Sequence, residues 1–66
     1  MDFVIMQKEN DAVILRGLNT GNMYLAAKFQ DGWYMTKKKI SGQDWISFPR
    51  TRIEPDVTTA LGLEAR

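Results

Sequence analysis

The side chains with chemistry to offer crowd into one stretch, Lys28 to Arg52, KFQDGWYMTKKKISGQDWISFPRTR. It holds both tryptophans, Trp33 and Trp45, and six of the nine basic residues: Lys28, Lys37, Lys38, Lys39, Arg50 and Arg52. Cations interleaved with aromatic rings suit two kinds of contact. Tryptophan, tyrosine and arginine dominate the energetics of protein interfaces. A basic surface with stacking rings is also how proteins hold single-stranded nucleic acid. Tyr24 adds a further ring just upstream. The candidate partner-binding set is therefore Tyr24, Lys28, Trp33, Lys37, Lys39, Trp45, Arg50 and Arg52.

Catalysis is harder to build from these residues. The chain has no His and no Cys, which removes the common general bases, thiolate nucleophiles and soft metal ligands. Ser41 and Ser47 have no base near them in sequence, and the carboxylates are scattered singly. Gly17-x-x-x-Gly21 lacks the Lys-Ser/Thr ending and the helix context of a phosphate loop. A non-enzymatic protein without a cofactor is expected.

The elements that must carry these side chains belong to one domain, 1–66, in a chain of 66 residues. A domain of this size buries only about 60% of its unfolded surface. Without cysteine there is no disulfide to reinforce it, so packing or self-association must support the fold. Net charge is +1, but it is uneven. The central stretch sets its six cations against only Asp31 and Asp44, and the flanking segments are net acidic. No apolar run approaches the roughly 20 residues of a membrane span, and MDFVIMQKEN lacks the basic start and long apolar run of a signal peptide. A cytoplasmic protein with no membrane partner is expected.

Phe3-Val4-Ile5-Met6 and Ala12-Val13-Ile14-Leu15 are short apolar, partly β-branched runs separated by the turn formers Asn10-Asp11. They predict two strands with Lys8 opposite Val13 and Met6 opposite Leu15. GLNTGN, residues 17–22, reads as a connection. Asp31-Gly32 predicts a two-residue hairpin turn of type I′, pairing Phe29 with Tyr34 and Lys28 with Met35. Alternation then puts Met23, Leu25, Ala27, Phe29, Tyr34 and Thr36 on one face, read as the core side. Tyr24, Ala26, Lys28, Trp33, Met35, Lys37 and Lys39 fall on the other. Two readings of that second face stand side by side. In one, Trp33 and Met35 pack under the other strands and lysine stems cover their edges. In the other, Trp33 and Tyr24 form an exposed platform flanked by cations.

A last short strand spans 45–48 and ends at Pro49. Asp56 then caps a short helix with Val57, Ala60 and Leu61 on one face, weakened by Gly62. The expected fold is all-β: strands near 3–8, 12–16, 23–30, 33–39 and 45–48, as an antiparallel meander or a five-stranded barrel with a short C-terminal helical segment.

Residues 31–53, DGWYMTKKKISGQDWISFPRTRI, resemble the second half of Src homology 3 domains. Trp33, Gly42, Phe48, Pro49 and Ile53 stand at comparable positions, and the resemblance implies a small five-stranded barrel. It does not extend to the family's N-terminal Ala-Leu-Tyr-Asp-Tyr segment or acidic loop, and Arg52 stands in place of the groove tyrosine. Ligand choice therefore does not carry over. Of the functional readings, a protein-interaction module, a regulator or inhibitor of a larger protein, comes first because +1 is far from the basic balance of most nucleic-acid modules. A nucleic-acid-binding β-surface built from residues 24–52 comes second, and self-association into a homodimer third.

Overall fold

Apolar, β-branched and aromatic runs punctuated by Asn, Asp and Gly produce a simple up-and-down sheet. The structure, a computed structural model, describes residues 3–63. Its strands are β1 (Phe3–Lys8), β2 (Ala12–Gly17), β3 (Met23–Phe29), β4 (Gly32–Lys39) and β5 (Ile46–Arg52), followed by helix α1 (Pro55–Ala60). All neighbours are antiparallel, in the order β1-β2-β3-β4-β5. Among the described residues no ladder returns from β5 to β1, so this meander is an open sheet.

Three local irregularities decide which side chains share a face. Lys8 lies opposite Val13 as expected, but a bulge between Ile5 and Gln7 brings Ile5, not Met6, opposite Leu15. Met6 is the extra residue and stays 49% exposed. The β3–β4 turn is centred on Gln30-Asp31, because Phe29 pairs with Gly32 and Lys28 with Trp33. A type I′ turn needs positive φ at both central residues, and among the described residues only glycines have one, so neither Gln30 nor Asp31 does. Gly32 supplies it instead, at φ 142. It also leaves room for Arg52, whose Nε would lie 3.1 Å from a Cβ at this position. A second bulge follows. Ala26 pairs with Met35 and Leu25 with Lys37, so Thr36 is the extra residue and its hydroxyl donates to the Leu25 carbonyl at 3.3 Å.

The third irregularity corrects the end of the last strand. β5 does not stop at Pro49 but runs on to Arg52. Met35 pairs with Thr51 and Lys37 with Ser47, so Thr36 alone faces Phe48, Pro49 and Arg50. Proline is tolerated because it sits on an edge strand and inside a bulge, where no ladder bond is required of its nitrogen.

The core lies between one face of the sheet and the C-terminal segment. Val13, Leu15, Ala26, Trp33, Ile53 and Leu63 form it, with Phe3, Ile5, Met35, Val57 and Leu61 packed against them. Fully burying a side chain such as Leu15 contributes about 1.5–3 kcal/mol. The inside and outside of the β3–β4 hairpin are thus the reverse of the assignment from alternation. Ala26, Trp33 and Met35 face inward, and Leu25, Ala27, Phe29 and Tyr34 lie on the open face. Helix α1 also departs in detail. Its N-cap is Glu54 with Pro55 in the first turn, and Asp56 follows inside the helix. The buried positions are Thr58 and, in part, Val57 and Leu61, whereas Ala60 is exposed. Gly62 lies just beyond the helix at φ 78. Its N–H donates to the Thr59 carbonyl (3.0 Å) and the Leu63 N–H to that of Thr58 (2.9 Å), a Schellman closure that swings Leu63 into the core.

Candidate functional site

One face of the sheet is covered by α1 and Leu63; among the described residues no such element covers the outer face. Register places Val4, Ile14, Leu25, Ala27, Phe29 and Tyr34 on it. Except for the more exposed Val4, all of these are half-buried. At the hairpin end, the Phe29 and Tyr34 rings meet edge to face with centroids 5.3 Å apart. The Arg50 guanidinium lies over both, 4.6 Å from the Phe29 centroid and 5.3 Å from that of Tyr34. The bulge opposite Thr36 allows this, because it gives β5 the slack to bring Arg50 back across the sheet. A cation held over an exposed ring contributes about 0.5–1 kcal/mol. The Tyr34 hydroxyl donates to Asp31 Oδ2 at 2.9 Å. That hydrogen bond, some desolvation and the carboxylate's charge hold the phenol above the usual tyrosine range.

The electrostatics of the sheet are one-sided. Every charged side chain in the strands is basic: Lys8, Arg16, Lys28, Lys37, Lys38, Lys39, Arg50 and Arg52. Glu9, Asp11, Asp31 and Asp44 sit in the connections, and Glu54 and Asp56 at α1. A net charge of +1 therefore conceals a basic sheet inside an acidic set of turns. On the outer face, Arg16 lies opposite Met23, Lys39 beside the same residue, Lys37 opposite Leu25 and Arg52 opposite Tyr34.

The residues singled out from sequence separate accordingly. Lys37, Lys39, Arg50 and Arg52 come together on the outer face. Trp33 does not join them: it is 2% exposed and part of the core, so the exposed Trp33–Tyr24 platform does not exist. Tyr24 lies on the inner face between Phe3 and Phe48, with ring centroids at 5.7 and 6.1 Å. Trp45 is half-buried in the connection before β5, and Lys28 is exposed at the hairpin end. The residues that sequence reasoning left out of the site are Ile14, Arg16, Leu25, Phe29 and Tyr34. Leu25, Phe29 and Tyr34 fell on the core side by alternation, and Ile14 sits in an unbroken apolar run that marks no outer side.

Fold and surface together define a small all-β protein with one filled and one open sheet face, the open one apolar at its centre and basic around it. No helix among the described residues is long and apolar enough to cross a membrane. No family model, curated protein or solved structure matches the chain.

Proposed function

We propose that the protein is a non-enzymatic interaction module that uses its outer sheet face to dock on an acidic surface of another protein, as a regulator or inhibitor would. The observation that carries this reading is the pairing of a half-exposed apolar centre, Ile14, Leu25, Phe29 and Tyr34, with a purely basic set of strand charges. Arg, Tyr and Phe at the centre of a patch are the residue types enriched in interfaces. The same charge pattern selects the partner. Two copies stacked through this face would set Arg16, Lys37, Lys39 and Arg50 against their own kind, and like charges across an interface are strongly unfavourable. An acidic partner with an apolar centre satisfies both features.

The basic sheet also supports a second reading, in which the face holds single-stranded nucleic acid with Phe29 and Tyr34 as stacking rings. It ranks lower because Arg50 already lies over both rings. Selection of displayed random peptides on the immobilised protein tests the first reading. The expected winners interleave acidic with aliphatic residues and bind about tenfold more weakly, about 1.4 kcal/mol, to Arg50→Ala or Leu25→Asp variants that keep their far-UV spectrum. Failure to enrich any acidic class would overturn it. Tight binding of oligothymidylate that falls steeply with salt would assign the face to nucleic acid instead.

A further inference from the structure

Two features of the outer face lie at opposite ends of one stretch of β3. The first is a recess of about 110 Å³ lined by Ala12, Ile14 and Leu25. Ile14 lies opposite Leu25 and Ala12 opposite Ala27, so the small alanine side chains leave the recess open beside the larger pair. The exposed Gln7 and Glu9 also line it and are bonded to each other, Gln7 Nε2 donating to Glu9 Oε2 at 3.3 Å. A recess of this volume, bounded by aliphatic side chains, admits one aliphatic side chain of a partner.

The second feature is Arg50. Its guanidinium rests on the Phe29 and Tyr34 rings, yet the residue is exposed. Among the described residues no side-chain hydrogen bond uses Arg50. The Asp31 carboxylate accepts from the Tyr34 hydroxyl instead, and Arg52, bonded to the Asp31 carbonyl at 3.0 Å, keeps this corner net positive. A planar guanidinium presents its N–H donors as a rigid fork that matches a carboxylate bidentately. The rings hold that fork in place before a partner arrives, so less side-chain freedom is lost on binding.

The strand fixes their separation. Leu25 and Phe29 stand four residues apart within β3, and the extra residue of the neighbouring bulge is Thr36 on β4. At the rise of a β-strand this spacing is about 13–14 Å. An extended partner segment laid along β3 has the same rise and turns every second side chain toward the sheet, so its residues four apart meet both features. We infer that the outer face reads a two-point motif in an extended acidic segment: an aliphatic side chain in the recess and, four residues away, an Asp or Glu carboxylate on Arg50. This rests on the interaction reading and specifies it. Arg50 is the residue that selects a carboxylate by its shape, whereas Lys37 and Lys39 supply attraction without geometry.

The test uses synthetic nonapeptides of serine and threonine with blocked ends, each carrying one aspartate and one leucine. The spacer between the two runs from one to five residues, in both orders, and binding is followed by amide shifts in a ¹⁵N correlation spectrum at constant ionic strength. The peptide with three residues between aspartate and leucine should bind tightest, about tenfold above those with one residue more or fewer. Arg50→Lys keeps the charge but loses the fork. It should weaken that peptide about tenfold and make exchange of its aspartate for asparagine indifferent. Ala12→Leu fills the recess and should make exchange of the peptide's leucine for alanine indifferent in the same way. Affinity that ignores spacing, or an Arg50→Lys variant that binds as tightly as the native chain, would overturn the two-point motif and leave acidic docking in place. Failure of every peptide in the series, while the displayed library still enriches acidic sequences, has the same meaning. A library that enriches no acidic class removes both readings together.

Discussion

Replacing Gly62 by alanine gives a test in which helix propensity and backbone geometry point in opposite directions. Inside a helix, Gly→Ala is worth up to about 1 kcal/mol of added stability. Here Gly62 closes the helix at φ 78, and a Cβ built on it meets nothing within 4 Å. Sterics with neighbours are therefore absent, and only local backbone terms remain. An L-residue in the left-handed region costs about 1–2 kcal/mol, partly offset by about 0.4–1 kcal/mol from the less flexible unfolded chain. The expected net is a loss of about 1 kcal/mol. With a urea m-value of about 1 kcal/mol/M for so small a domain, the unfolding midpoint should fall by about 1 M. D-alanine, introduced by chemical synthesis, takes positive φ without strain and should raise the midpoint instead. A midpoint unchanged or raised by L-alanine would refute the reasoning, since it would mean that residue 62 does not need the left-handed conformation and that the Schellman closure does not hold Leu63 in the core.

Two other perturbations follow from the same structure. Trp33→Ala removes a buried indole and should cost about 3–5 kcal/mol, which is close to the whole stability that a single core of this size supplies. Circular dichroism should show a largely unfolded variant at 25 °C, while Trp45→Ala, at a half-buried site, should remain folded. Tyr34 should ionise above the usual tyrosine pKa of about 10, measured by phenolate absorbance, and Asp31→Asn should bring it down. Because the folded state holds this proton more tightly than the unfolded one, the contribution is fully present below the unfolded pKa. It is lost as pH rises through the raised folded value.

The strand inventory was legible because β-branched and aromatic runs are separated by Asn, Asp and Gly, and each run became a strand. What alternation could not tell was which face points inward. On β2, Ala12-Val13-Ile14-Leu15 is apolar at every position, so it offers no polar side to mark solvent. On β4, strict alternation placed Lys37 and Lys39 on the same face as Trp33, so that face read equally as packed under lysine stems or as an exposed platform. The packed reading of Trp33 and Met35 is the one the core bears out. The bulge at Thr36 transfers both lysines to the opposite face and releases Trp33 to the core. Pro49 misled in a related way, since its strand-ending signal is void within an edge bulge. The basic outer face was hidden for the same reason: its aromatic centre was counted as core, and the net charge averaged the sheet with its turns.

The sequential strand order also bears on how the chain reaches this state. Each ladder joins strands that follow one another in the chain, so every pairing closes only a short loop and none waits for distant segments to meet. Pairing between strands adjacent in the chain favours faster folding than distant pairing would. The long-range step is the arrival of Ile53 and Leu63 over Val13 and Leu15. Without them Trp33 would lie open on a sheet with apolar side chains on both faces. The C-terminal turn thus completes the core, and a variant in which it is loosened should be the one most prone to association with itself.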